Sequence, residues 1–442
     1  MFKNLIDAFK SKGIRKKILM TLLLLVIYRI GCFIPAPGLN PSMISASFNG
    51  EGANQFFGIL STITGGSLAN GTLFSLGIIP YINAFIIMQL LTLVIKPLEE
   101  LSKKGEEGRQ KITQITKYVA IVLAIVQGIG IVISWNNQGF VSVMFGLGTE
   151  NKVALAFTMI FVILYFVAGS CICIWLADRL TEYGIGNGTS LIIFVGILSG
   201  FFTGIIQEFG IIVEDVTNIW RLLLYLVVVL VVFVFIVFID MSERRIEVIY
   251  GNKQRGNKSY MVSNSVIPIK INAGGVMPII FASSFLMFPQ LIASLVNGGN
   301  NPFYIWWSKW LGVGTWLYAV VMALLILGFS FFYAKIQFNP VDISKRIQEN
   351  DGVIRGISPG RKTADFLNRV NNRITLFGAI FLAVLSLVPS LVFAAILSEN
   401  SALVNAFSAT GMLIVVSVAL ELNRSLEAQL AMKNLGSRRN LL

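Results

Sequence analysis

Histidine is absent from the 442-residue chain, which excludes imidazole acid–base chemistry and histidine-ligated metal sites. Cysteine is scarce: Cys32, Cys171 and Cys173 all lie in apolar stretches, so they indicate neither a disulfide framework nor a metal site. The sequence also lacks the nucleophile elbow G-x-S-x-G, the phosphate-binding G-x-x-x-x-G-K and the metalloprotease motif H-E-x-x-H. We therefore predict that the protein is not an enzyme and holds no cofactor.

Charge is scarce as well. Charged residues make up 13% of the chain, whereas soluble proteins carry about 25%. Hydrophobic residues make up 55%, and the mean hydropathy is +0.76. Because a single soluble core stops growing well before this length, and its surface would need more charge, a soluble globular enzyme is excluded. The composition indicates a polytopic membrane protein.

Ten apolar stretches are each long enough to cross a bilayer, which takes about 20 residues. They predict an all-α membrane protein with ten transmembrane helices. Each half holds five spans. Because five is an odd number, the second half must be inverted relative to the first if the halves are repeats. Inverted repeats commonly hold a pathway at their interface. The stretches are 18–34, 74–95, 118–135, 153–176, 185–206, 219–239, 271–296, 312–334, 374–397 and 403–422.

The net charge of +13 could indicate nucleic-acid binding, but the positions of the charges argue for another cause. Of the 35 lysines and arginines, 31 fall in alternate gaps between the ten stretches. This parity follows the positive-inside rule and predicts that both termini lie in the cytoplasm.

The stretches and gaps divide the chain into regions. Residues 1–17 place apolar residues at helical spacing among lysines, which predicts an amphipathic helix on the cytoplasmic membrane surface; a disordered basic leader is the alternative. An N-terminal half (18–206) and a C-terminal half (219–422) follow, joined by 207–218. A cytoplasmic tail covers 423–442.

Residues 53–73 are too polar and glycine-rich to span a membrane and too apolar for an ordinary loop. Irregular backbone at membrane depth survives only where protein or a water-filled cavity satisfies it. We predict a short re-entrant segment that enters from the outside, with a plain external loop as the alternative.

Several spans carry helix breakers, which are typical of moving or cavity-lining helices. Pro80 interrupts the second span, glycines open the fifth, and Gly274, Gly275, Pro278 and Pro289 interrupt the seventh.

Charged residues are confined to span ends, at Arg29, Arg221 and Glu421, where long side chains can reach the interface. Ion-coupled transporters usually carry a buried acid or base, and none occurs mid-span. The polar residues there carry amides and hydroxyls, which either hydrogen-bond between helices or line a pathway that does not select by charge. They are Asn83, Gln127, Thr189, Ser283 and Ser284.

Two basic segments, 240–270 and 335–373, are long for the loops of a polytopic protein. Alternation over 245–250, followed by a turn and 260–262, predicts a hairpin in the first. The turn at Pro359–Gly360 predicts a helix beginning near Thr363 in the second. Their basic residues have two interpretations. They form a docking surface for RNA or for an acidic protein, or they only follow the positive-inside rule.

Short strings along nearly the whole chain form a recognisable set: YRIG (28–31) with IPAPG (34–38), LGIIPYI (76–82) with QLL (89–91), EYGIGNG (182–188), ERRI (243–246), GVMP (275–278) with FASS (281–284), NP (339–340) and PGR (359–361). In this order they resemble the SecY family of bacterial protein-translocation channels. Ten spans with both termini inside is also that family's topology.

The resemblance implies a clamshell of two inverted five-helix halves around a central pore, with 207–218 as the hinge. A ring of side chains and a re-entrant plug, about 56–73, close the pore. The ring maps to Ile78, Ile82, Thr189, Ile193, Ile280 and Ile414. The family often has an aliphatic residue at the position of Thr189, and the hydroxyl here makes the ring less dry. The plug residues include Phe56, Phe57, Ile59, Leu60, Ile63, Gly65 and Gly66. The lateral gate maps to Asn83, Gln127 and Phe288.

The resemblance also implies partners: SecE and SecG in the membrane, the SecA ATPase, the ribosome through its RNA, signal peptides, nascent polypeptides and lipid. The location implied is the bacterial plasma membrane. The family usually has arginine where Ser358 stands, and that arginine is a contact for activation by SecA. The serine puts this contact in doubt. Ribosome or motor docking maps to Arg244, Arg245, Lys253, Arg255, Arg355, Arg361 and Lys362.

The predicted function is the central subunit of the Sec translocon, which conducts unfolded secretory proteins across the membrane and releases membrane helices laterally. The alternative is a secondary transporter of a small solute, which the inverted span count and the broken helices would also suit.

Overall fold

The computed structural model describes residues 9–49, 61, 63–143, 152–214, 219–250, 254–255, 258–259, 264–272, 274–295, 302–312, 315–396 and 409–439, and most of them are helical. The helices are α1 (Lys12–Gly31), α2 (Pro41–Asn49), α3 (Ile79–Val94), α4 (Lys96–Lys103), α5 (Glu106–Asn137), α6 (Lys152–Tyr183), α7 (Gly188–Glu214), α8 (Ile219–Met241), α9 (Met277–Leu295), α10 (Pro302–Leu311), α11 (Trp316–Gln337), α12 (Pro340–Glu349), α13 (Arg361–Ile396) and α14 (Ala409–Arg439). The strands are β1 (Glu243–Tyr250), β2 (Gln254–Arg255), β3 (Lys258–Ser259), β4 (Asn264–Lys270) and β5 (Gly352–Ile354).

Each of the ten apolar stretches coincides with a described helix, in order α1, α3, α5, α6, α7, α8, α9, α11, α13 and α14. By length and hydropathy, six helices of the described part can cross a bilayer. The pair α3–α4, bent by 100°, makes a seventh if it counts as one broken span and not as a re-entrant loop. The chain is thus a multi-pass helical protein, and the count of ten spans stays a prediction.

The helix breakers act differently from the sequence-based expectation. Pro80 lies in the first turn of α3, where proline is favoured, so it starts the helix instead of interrupting it. Pro278 likewise lies in the first turn of α9, and Pro289 lies inside that continuous helix. The sharp break falls at the other end of α3, at Ile95, which has extended backbone. Pro97 lies two residues later in the first turn of α4, and a proline that continued α3 would lose a helical hydrogen bond and clash with the carbonyl four residues before it.

Three helices run past the predicted region boundaries, and those regions stay predictions. The basic residues from Lys12 onward belong to α1 itself, so the first helix starts inside the predicted N-terminal region. Helix α7 continues to Glu214, so most of the predicted hinge is helical. Helix α14 continues to Arg439, and most of the predicted tail extends the last span. Residues 1–8 and 215–218 lie outside the described part of the chain.

The two long basic segments fold together into one small sheet. As the alternation predicted, β1 buries Ile246 and Val248 and exposes their neighbours. Its hairpin partner is β4, further along than the predicted 260–262, with Glu243 opposite Lys270. Strand β5 of the second segment pairs with β1 on the other edge.

A single apolar cluster covers the inner sides of this sheet and of the helices that follow. Its buried members are Ile246, Val248, Ile269, Ile347, Ile354 and Leu367. We call β1, β4, β5, α12 and the first turns of α13 the sheet unit. We call the side of the protein on which it lies the basic side.

The main core joins the two halves of the chain. Buried residues of α1, α6 and α7 pack in one cluster with buried residues of α8, α9, α11, α13 and α14. A second contact between the halves lies on the basic side, where Ile14 and Ile185 meet Leu422, Leu426 and Leu430. This shared core positions the ends of the helices around a cavity.

Candidate functional site

A cavity of about 770 Å³ lies between the two halves, lined by residues at the helix ends nearest the basic side. Its charged lining residues carry both signs, so they create no strong field of one sign. They are Asp178, Glu182, Asp240, Lys270, Glu421 and Arg424. Asp240 is held in place by an amide hydrogen bond from Asn272 (Nδ2 to Oδ1, 3.3 Å), and its carbonyl oxygen accepts one from Arg424 (Nη2, 3.3 Å).

The floor of the cavity is aliphatic. Five of the six residues predicted for the pore ring line the cavity, and Ile78 is buried in the adjoining core. They come from α7, α9, α14 and the start of α3, so residues far apart in sequence converge here. The five isoleucines share one apolar cluster, in which Ile193 is 5% exposed and Ile414 4%. Aliphatic side chains offer water and ions no hydrogen bonds.

Thr189 differs from the other ring residues in height. It lies in the first turn of α7, where the side-chain oxygen of Asn187 accepts a hydrogen bond from its backbone N–H (3.0 Å). Ile193 is one turn deeper, about 6 Å along the helix axis. The threonine therefore lies on the cavity wall nearer the basic side than Ile193 does.

The described part of the predicted plug, 61 and 63–73, is folded tightly on itself. Thr64, Ser67, Leu68 and Thr72 are all buried. The Ser67 carbonyl accepts hydrogen bonds from the hydroxyls of Thr72 (3.2 Å) and Ser75 (3.1 Å). Residues 56–60, with four of the predicted plug side chains, lie outside the description.

This segment presses against the backbone of α7. Gly65 has φ +67°, and a Cβ there would lie 2.9 Å from the Cα of Gly196. Ile63 packs against the apolar cluster that holds the ring isoleucines. Arg29 donates a hydrogen bond from Nη1 to the Gly65 carbonyl (3.3 Å). A charged residue near the end of the first span thus binds the folded segment.

The predicted lateral gate lies where α3 and α5 face α9 and α11. Asn83 is half-buried on α3, and Gln127 is buried on α5. Phe288 belongs to α9, but its side chain lies outside the described part. Across this junction, Ile86 of α3 packs in one cluster with Phe281 of α9 and Tyr333 of α11.

A polar contact that sequence reasoning missed joins the same helices. The hydroxyl of Tyr333 donates a hydrogen bond to Oε1 of Gln89, linking α11 to α3. The Phe281 ring lies edge-on to Tyr333, with centroids 4.9 Å apart. The only sequence signal was the presence of Gln89 in one of the family strings.

The predicted docking residues lie on or beside the sheet unit. Arg244 and Arg245 are exposed on β1, and Arg245 also pairs with Glu243 (Nε to Oε1, 2.8 Å). Arg355, Arg361 and Lys362 are exposed after β5 and at the start of α13. The backbone of Arg255 lies in β2, and Lys253 is outside the description. Sequence reasoning missed the pairing of β5 with β1, which brings the two segments together.

Ser358 is exposed in the turn before α13. Its carbonyl accepts a hydrogen bond from the Thr363 hydroxyl (2.9 Å). The Ser344 hydroxyl donates to the Gly360 carbonyl (2.7 Å), which fixes the turn against α12. Arg355 and Arg361, which lie three residues to either side of Ser358 in the sequence, are also exposed.

Comparison with known proteins gives consistent matches. A sequence model of the SecY family matches residues 72–423. The protein translocase subunit SecY of Streptomyces galbus is 37% identical over 434 residues, which cover 97% of each chain. The same subunit of Corynebacterium glutamicum is 35% identical over 442 residues, which cover 97% of this chain and 98% of that one.

Solved structures agree at the level of the fold. One described as a protein-conducting channel has a TM-score of 0.63 at 19% identity, over 94% of this chain and 92% of that one. Sec61 in a canine ribosome–channel complex has a TM-score of 0.62 at 19% identity over the same shares. The chain therefore belongs to the SecY family and is the pore-forming subunit of a protein translocase, a multi-pass membrane protein.

Proposed function

We propose that the chain conducts unfolded secretory proteins through the isoleucine-floored cavity and releases membrane helices sideways between α3 and α9/α11. The observation that carries this proposal is the convergence of isoleucines from four helices at the floor of the cavity. Aliphatic side chains can repack around a polypeptide of any sequence, whereas a charged constriction would select among them. The ring consists of Ile78, Ile82, Ile193, Ile280 and Ile414, with Thr189 above it.

The described residues 63–73 support a plug on the far side of the ring. They are packed against α7 and the ring cluster, which a plain external loop would not be. In the proposed mechanism the plug and ring together hold the resting channel closed. A polypeptide entering from the basic side displaces both.

Lateral release needs no energy source within the chain. A signal helix that moves from the pore into lipid gains roughly 0.3 to 0.6 kcal/mol for each leucine-like residue. We place ten spans in two inverted halves, both termini in the cytoplasm and the protein in the bacterial plasma membrane. The basic side is then the cytoplasmic side.

Movement of a polypeptide into the pore requires energy. The sequence holds neither a phosphate-binding loop nor another catalytic motif, so a separate motor must supply that energy. We infer that the SecA ATPase or the ribosome docks on the sheet unit through its exposed basic residues. The canine Sec61 structure, taken from a ribosome–channel complex, supports a ribosome as partner. SecE and SecG are the proposed membrane subunits.

Reconstitution tests the proposed function. Vesicles that hold the chain, SecE and SecA should render a secretory precursor resistant to protease when ATP is supplied. Vesicles without the chain are the control. Failure of precursor import, with uptake of a small solute instead, would favour a secondary transporter, an alternative that finds no support in the comparisons.

The contact between Arg29 and the plug gives a separate prediction. Arg29→Met removes the donor to the Gly65 carbonyl and should raise the resting ion leak of reconstituted vesicles about two- to tenfold. Gly65→Ala should raise it further, since alanine is strained at φ +67° and its Cβ would meet Gly196. Resting efflux of potassium measures the leak without any precursor.

Two variants control this comparison. Arg29→Lys keeps a charged donor and should leak less than Arg29→Met. Lys152→Met removes an exposed basic residue from the start of α6 and should leave the leak unchanged. Equal leak in Arg29→Met and the parent would show that Arg29 does not hold the plug.

A further inference from the structure

We propose that the hydrogen bond between Tyr333 and Gln89 is a latch on the lateral gate that sets how apolar a signal segment must be to open it. This inference rests on the proposed function, because it assumes that polypeptides leave between α3 and α11. It assigns a role in substrate selection to two residues outside the predicted gate set.

The latch lies in apolar surroundings. Tyr333 is 7% exposed and belongs to a cluster with Ile86 and Phe281, against which Leu90 and Phe332 pack. The ring of Phe329 lies at right angles to that of Phe281, with centroids 5.6 Å apart. When the gate is closed, the Tyr333 hydroxyl and the Gln89 amide oxygen satisfy one another within this cluster.

The two kinds of contact respond differently when the gate opens. Apolar contacts between α3 and the facing helices can be replaced by contacts with an apolar signal helix or with lipid tails, at little cost. An apolar segment cannot replace the hydrogen bond, and a buried hydroxyl without a partner is unfavourable. Opening therefore requires a segment whose own burial offsets this loss. The gate thus has a threshold for the hydrophobicity of the signal segment.

The position of Tyr333 also connects the latch to the docking surface. It lies four residues before Gln337, the last residue of α11. The chain then passes through Phe338, which packs against the apolar cluster of the sheet unit, and enters α12. A partner that shifts the sheet unit would act on the latch through about one helical turn.

Tyr333→Phe tests the latch, because it removes the hydroxyl and keeps the ring. Gln89→Leu removes the acceptor, and the double variant closes a mutant cycle. We expect each single variant to raise import of a precursor with a weakened signal about two- to tenfold, and the double variant to go no further. Import of a precursor with a normal signal should stay at the parent level.

Tyr318→Phe is the matched control, since it makes the same change at the opposite end of α11 and should leave import unchanged. Gate opening is followed by fluorophores on cysteines placed at Val94 and Ile336, both exposed, at the ends of α3 and α11. The two labels should separate when a precursor engages the parent.

The outcomes separate the two claims. If the labels separate in the parent but Tyr333→Phe imports the weakened precursor no better, the latch is wrong and the proposed gate stands. Additive effects of Tyr333→Phe and Gln89→Leu would likewise contradict a shared hydrogen bond. If the labels do not separate in the parent, the proposed gate fails and the latch fails with it.

Discussion

Replacing Ile193 by asparagine is expected to open the resting channel to ions and to let precursors with defective signals through. In the structure this side chain is buried among other aliphatic residues, where an amide without partners costs roughly 1 to 3 kcal/mol. In the open channel the amide meets water, so the equilibrium shifts toward the open state about 5- to 150-fold. Ile280→Asn should act in the same direction.

The leak of vesicles and the import of a precursor with a charged residue in its signal measure the two effects. Ile193→Leu is the matched control, because it keeps an aliphatic side chain at the same place and should retain the seal. The amount of each variant in the membrane must also equal that of the parent. Unchanged leak and unchanged signal stringency in both asparagine variants would refute the ring assignment.

Charge reversal on and beside the sheet unit is expected to weaken docking of the ribosome or of SecA about tenfold. The variant combines Arg244→Glu, Arg245→Glu and Arg255→Glu. A loss of about 0.5 kcal/mol for each of the three arginines accounts for this factor, and repulsion from the new acids adds to it. Binding to vesicles that hold the parent or the variant, measured at two salt concentrations, checks the expectation.

The control for this variant makes the same change in net charge elsewhere on the basic side. Lys103, Lys104 and Lys111 are exposed around the turn between α4 and α5, and their reversal should leave docking near the parent level. Both variants should still insert into the membrane. If both variants dock equally well, the three arginines serve only as topology signals and do not form a docking surface.

Hydropathy and charge located the helices because a bilayer demands long apolar segments and a basic cytoplasmic side. The position of Pro80 shows the limit of such reasoning. Proline starts a helix as readily as it breaks one, and only the surrounding backbone decides which. The extension of α1 and α14 into the flanking basic segments was not predicted for a similar reason, since basic residues continue a helix without marking its end.

The site was harder to predict than the helices, because it depends on contacts between distant parts of the chain. Five ring isoleucines were assigned by resemblance to a family, because apolar periodicity alone cannot separate a pore-lining isoleucine from a lipid-facing one. Tyr333 and Gln89 lie 244 residues apart, and no local pattern pairs them. Strand β5 has three residues, too few for an alternating pattern to reveal.

Arg29 illustrates the same point for a charged residue. Its place near the end of a span predicted a side chain that reaches the membrane interface. In the structure it binds the Gly65 carbonyl, 36 residues along the chain, and lies over the ring of Phe33. The sequence located the charge, and the tertiary fold supplied its partner.

Crosslinking from the floor of the cavity to a polypeptide in transit tests the central claim most directly. A photoreactive residue would be placed at Ile193 or Ile280, and for comparison at Val234 or Phe238, which are exposed on α8. With a precursor arrested halfway through import, we predict adducts from the two cavity positions and none from α8. Adducts from α8 alone, or none from Ile193 and Ile280 while the precursor is protected, would contradict a pathway through the isoleucine ring.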